Sequence, residues 1–187
     1  MDILEIINQS LASNPNLNED IKNKFSELIR VLRNKLPDVD LTRLNEKLKT
    51  VMIGKLGKFE RKGTYFYDVF KNEVKFSNDL EKDYDIDNLF MKAILEMATS
   101  TNSFTGFNSD ERLRALNLAY TEILATFIIG NEGDSELEEE MLITNLISHI
   151  IGKDTLYNSY FTNNGVPIIK ALQEVEVGML WDHQMKY

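Results

Sequence analysis

The chain has 187 residues, 43% of them hydrophobic, no cysteine and a net charge of −9. That length and apolar content suit one domain with a real core, and the missing cysteines exclude disulfides, thiolate metal sites and a cysteine nucleophile. The acidic balance argues against a phosphate-tracking surface, because nucleic-acid binding rests on clustered Lys and Arg.

The apolar residues Ile3, Ile6, Ile7 and Leu11 recur at helical spacing over 2–12, and Asn14-Pro15 ends that segment. A second helix is predicted over 18–35, with Ile21, Phe25, Leu28, Ile29 and Leu32 on one face and Pro37 beyond its end. Asp40 reads as the N-cap of a third helix over 41–49. The texture then changes to Val, Ile, Phe and Tyr with interspersed glycines over 50–59 and 64–69, and to alternation over 73–77. These read as two or three short strands with turns near Gly63 and Asn72. The small basic group Lys47, Lys49, Lys55, Lys58, Arg61 and Lys62 reads as the solvated rim of this sheet.

The remainder reads as helical: about 85–99 with Asp85 or Asp87 as cap, 110–129, 135–151 closed by Gly152, then 154–161 and 166–175. The expected fold is α+β and mostly helical, a single domain over 1–187. Within it 1–49 holds the N-terminal helices, 50–77 a small sheet of two to four strands, 85–176 the helical half and 177–187 a tail. The acidic N-terminus lacks the basic start of a signal peptide, and Lys92, Glu96 and Glu122 interrupt the longest apolar runs, so a cytoplasmic protein is expected.

Two helices carry charges where none belong. The 86–98 segment is apolar nearly all round, yet Lys92 and Glu96 sit in its middle, one turn apart on one face. The 116–128 segment surrounds a lone Glu122 with apolar residues. Unpaired charge in a core is costly. The plain reading lets Lys92 and Glu96 snorkel to solvent. The economical one brings Lys92, Glu96 and Glu122 together at one helix–helix contact.

Phe90-Met91-Lys92-Ala93-Ile94-Leu95-Glu96-Met97-Ala98-Thr99-Ser100 resembles the active-site helix of a zincin metallopeptidase, where the family reads His-Glu-x-x-His. Tyr67 to Phe76 resembles the edge strand that runs past the substrate, so Glu73, Val74, Lys75 and Phe76 become the candidate peptide-binding strand. Gly106-Phe107 and Asn117-Leu118-Ala119-Tyr120-Thr121-Glu122 resemble the second helix of the Glu-ligand zincins. Ile151 to Leu156, Tyr160-Phe161 and the 166–175 helix resemble the last helices of small bacterial members.

Carried over position by position, Lys92 stands at the first imidazole, Ala93 at the general base and Glu96 at the second imidazole. Glu122 keeps the third ligand position, and Leu118 replaces an acidic residue. A catalytic zinc needs three ligands and a base beside its water. The resemblance therefore implies a pseudopeptidase with no metal and no cofactor, in which the Lys92 ammonium stands in for the cation and Glu96 and Glu122 close around it. A protein or peptide is the implied partner. The rivals are an unrelated helical interaction or assembly domain, and an enzyme using Glu96 and Glu122 as an acid–base pair.

Other motifs read as ordinary. His149 and His183 share no ligand spacing. The acidic run Asp79, Glu81, Asp83, Asp85 and Asp87 lacks the glycine and final glutamate of an EF-hand, and Glu136 to Glu140 suits a helix start. Gly54-Lys55-Leu56-Gly57-Lys58 has too few glycines for a phosphate loop.

Overall fold

A computed structural model describes residues 2–56, 65–76, 86–107, 111–131 and 137–174. Asp2 and Glu5 form a capping box that opens α1 (Ile3–Ser13). Asn18 accepts the Ile21 N–H to start α2 (Glu19–Lys35), and Leu36 ends it before Pro37. Asp40 accepts the Thr42 N–H and hydroxyl at 2.9 and 2.6 Å, one residue ahead of the Leu41 cap of α3 (Thr42–Leu48). Phe25, Leu28, Ile29 and Leu32 of α2, with Leu44 and Leu48 of α3, all turn into the core.

Three strands follow: β1 (Met52–Lys55), β2 (Tyr65–Asp68) and β3 (Glu73–Phe76). Their order is β1-β3-β2, with β1 parallel and β2 antiparallel to β3. The turn between β2 and β3 is made at Asn72, whose φ of 51° is uncommon for a side chain other than glycine. Its side chain is fully employed there. The amide donates to Lys47 O (2.7 Å) and Thr50 Oγ1 (3.1 Å), while Oδ1 accepts the Tyr67 hydroxyl (2.9 Å).

The sheet packs on α4 (Ile86–Ala98), where Phe76 stacks on Phe90 with centroids 4.8 Å apart. Phe25 of α2 meets the same Phe90 edge-on at 5.2 Å. With α2, α3, β2 and the later helix α5 (Arg114–Ile129) around it, α4 has ten of its thirteen residues buried, which is why its sequence shows no polar face. A 3-10 turn over Glu111–Leu113 leads into α5 (Arg114–Ile129), closed by Gly130 in the left-handed conformation. Then come α6 (Glu138–Ile151), α7 (Lys153–Thr162) and α8 over 166–174.

The fold is α+β, mostly helical with a three-stranded mixed sheet among the described residues, as the sequence pattern leads one to expect. Element bounds agree within a few residues. The turn near Gly63 and the tail 177–187 lie outside the described residues. Among the described residues no helix is long and apolar enough to cross a membrane. One surface feature stands out: Leu142, Ile143, Leu146 and Ile150 of α6 are all more than half exposed.

Asn72→Ala removes three hydrogen bonds and keeps an unfavourable φ, so it should lower unfolding stability by about 2–3 kcal/mol in urea titration. Asn72→Gly relieves only the backbone, and should recover no more than about 1 kcal/mol of that loss.

Candidate functional site

The α4–α5 contact carries the buried charges. Lys92 Nζ lies 2.6 Å from Glu122 Oε2, with Lys92 only 6% exposed and Glu122 fully buried. The Tyr65 ring of β2 covers the ammonium, with its centroid 5.3 Å from Nζ. Ala93, between the two charged positions of α4, is buried and offers only a methyl group. Two charges taken from water need close pairing, because either one alone would be left uncompensated.

Glu96 behaves differently. It lies on the same face of α4 as Lys92, one turn on, but it does not make a close ion pair with it. Its carboxylate accepts from Thr105 Oγ1 at 3.3 Å and from the Tyr65 phenol. The expectation that both glutamates close around the ammonium therefore splits. Glu122 makes the short contact, and Glu96 acts on Lys92 only through space. Burial raises the Glu96 carboxyl to a pKa of about 7, against the opposing effects of the Tyr65 and Thr105 hydrogen bonds and the Lys92 charge. Burial first, and then the neighbouring Glu96 charge, push the Tyr65 phenol up, so it stays a neutral donor.

Glu96 forms the floor of a cleft of about 420 Å3. One wall is β2 and its turn, residues 65–70; the other is Ser103, Phe104 and Thr105 with Arg114, Asn117 and Leu118 of α5. The volume falls within the range of small-ligand sites. Phe66, Phe70 and Leu118 are exposed around it, giving an apolar rim above a carboxylate.

The second wall is held by polar anchors. Gly106 N donates to Thr99 Oγ1 at 2.9 Å and Phe107 N to Asn117 Oδ1 at 3.1 Å. Asn163, itself at φ 58°, donates to the carbonyls of Thr99 and Gly106. Gly106 has φ +54°, and a Cβ there would overlap Asn117 Oδ1 and the Tyr160 ring. No other residue fits that position. Tyr160 of α7 in turn shares a 2.8 Å hydrogen bond with Thr121 of α5, tying the far helices to the same wall.

One sequence expectation is overturned. Glu73, Val74, Lys75 and Phe76 do form a strand, but β3 is the middle strand of the sheet, paired on both sides. Val74 and Phe76 point into the core, and Lys75 pairs with Glu73 at 3.4 Å. The strand whose outer side borders the cleft is β2. Strand order is set by the parallel pairing with β1, a long-range contact that alternation along one strand does not encode.

Glu96 and Glu122 are not a facing acid–base pair, because Glu122 does not line the cleft. Among the described residues no group of three His, Asp or Glu is placed to hold a metal ion. His149 is exposed on α6, and His183 lies outside the described residues. Of the acidic run only Asp87 is described; it opens α4 and accepts from Lys24 at 2.7 Å. Lys58, Arg61, Lys62 and Glu136 also fall outside the described residues, while Lys49 pairs with Glu46 at 2.7 Å.

Sequence reasoning missed Tyr65 and Thr105, and gave Asn117 and Tyr160 a place in the resembling segments but no role. Only Tyr65 left a signal, as the first of two tyrosines alternating with Phe66 in a half-buried strand. Comparison with protein-family profiles, curated proteins and solved structures finds no match.

Lys92→Met strands the Glu122 carboxylate and should cost about 3–5 kcal/mol; pairing it with Glu122→Leu should recover most of that loss. Thermal melts of the two variants check this, and an unchanged melting temperature for Lys92→Met would contradict the pairing. The raised Glu96 pKa sets a pH dependence. Because the folded state holds this proton more tightly than the unfolded chain, its contribution is complete below about pH 4.5 and is lost as pH rises through about 7. Relative to Glu96→Gln, the wild type should therefore lose on the order of 2–3 kcal/mol between pH 5 and 8, read from urea midpoints at each pH.

Proposed function

We infer that the chain is a non-catalytic, zincin-like binding module. The observation that carries this reading is the 2.6 Å Lys92–Glu122 pair at the position the resemblance assigns to the metal. Hydrolysis by a zincin needs a metal-polarised water and a carboxylate to take its proton. A protonated lysine ligates no zinc, and Ala93 accepts no proton. The ammonium supplies one positive charge there, enough to neutralise Glu122 and hold α4 against α5.

The cleft supports a binding role independently of any fold resemblance. An extended peptide can add to β2, its main chain hydrogen-bonding the strand and its alternate side chains entering the cleft. Protein or peptide is thus the partner class, and a reducing, cytoplasmic setting suits a chain without cysteine. A helical interaction module is the rival reading, and the exposed apolar stripe on α6 is the observation on its side.

Amide correlation spectra test the proposal. A capped extended peptide should shift the β2 amides and those of 103–105, and the peptide should stay intact when zinc is supplied. Zinc-dependent cleavage would overturn the non-catalytic reading. Spectra unmoved at β2, together with self-association that substitutions on the α6 stripe abolish, would favour the rival.

A further inference from the structure

The cleft joins an apolar rim to a charged group, the ordinary make-up of a selective binding site. Its rim is apolar, with Phe66, Phe70 and Leu118 exposed. Its floor is a carboxylate with hydrogen-bonding capacity to spare: Glu96 accepts from Thr105 and Tyr65 and, among the described residues, has no close cationic partner, since the neighbouring Lys92 ammonium is committed to Glu122 at 2.6 Å. A carboxylate can accept about four hydrogen bonds, so the side facing the cleft can take more. The other charged groups along the walls are Asp68 and Arg114. Arg114 is exposed at the first residue of α5, where water screens it. The whole chain carries −9, so a cationic ligand is also favoured at a distance.

We propose that the cleft selects an extended peptide carrying a basic side chain, arginine or lysine, whose stem lies along the apolar rim and whose charged head meets Glu96. This rests on the binding role above and deepens it. Long basic side chains suit such a shape, because their methylenes pack on apolar surface while the head seeks an anion. Arginine suits it best, since its planar fork can bond a carboxylate twice and can stack on the phenylalanines.

The test uses three capped pentapeptides, Ac-Thr-Val-Xaa-Val-Thr-NH2, with arginine, norleucine or glutamate at the central position. Each is titrated into the full chain at pH 8, above the Glu96 pKa of about 7, while amide shifts and Kd are followed. A charge-assisted hydrogen bond in a part-buried site corresponds to roughly ten- to a hundredfold in Kd, so arginine should bind that much more tightly than norleucine. Glu96→Gln keeps the size and an acceptor for Thr105, and it should abolish this preference. Glu138→Gln removes the same charge from the exposed start of α6, and should leave the preference intact. Equal binding of arginine and norleucine peptides, with β2 amides shifting, would overturn this inference while sparing the binding role. An equal loss in both variants would also overturn it, by assigning the preference to net charge alone. Absence of binding by all three peptides would overturn both readings.

Discussion

A single ion pair sets the terms for this fold. Lys92 and Glu122 sit where α4 and α5 meet, in surroundings that would penalise either charge alone. The 2.6 Å contact joins Lys92 of α4 to Glu122 of α5 and so constrains how one helix lies against the other. Apolar packing alone tolerates sliding and repacking more readily. Everything around the cleft inherits that registration: Glu96 one turn along α4, Asn117 and Leu118 at the start of α5, and Tyr65 laid over the ammonium from the sheet.

The pair also explains why the two glutamates differ. Glu122 is buried against a cation, whereas Glu96 faces a cleft with, among the described residues, hydroxyl donors as its close partners, and burial lifts its proton affinity. Tyr65 links the two environments. Its ring meets the ammonium and its hydroxyl reaches Glu96, so a strand residue connects the buried charge to the open one. The outcome is one carboxylate buried in the core and another that lines the cleft.

Much of this was legible in the sequence. Helical periodicity located the helices, and alternation with turn residues located the strands, because both are local consequences of burial. The charges inside apolar helices pointed to Lys92, Glu96 and Glu122, since paired charge is the cheapest way to bury them. Strand order was not legible: β1 pairs with β3 across more than twenty residues, so alternation at 73–76 looks the same for a central strand as for an edge. The cleft wall was equally hidden. Thr105, Asn117 and Tyr160 matter through contacts made by folding the 99–107 segment over α5 and α7, around a glycine whose conformation only the assembled wall requires.

We propose that the Lys92 ammonium does at this contact the structural work that a metal would do in a zincin. Elemental analysis of the purified protein, with a melting curve recorded with and without a strong chelator, tests it most directly. A protein held by this ion pair should carry no stoichiometric zinc or other transition metal and should keep its melting temperature in the chelator. A bound metal at one equivalent, lost on chelation together with stability, would contradict it.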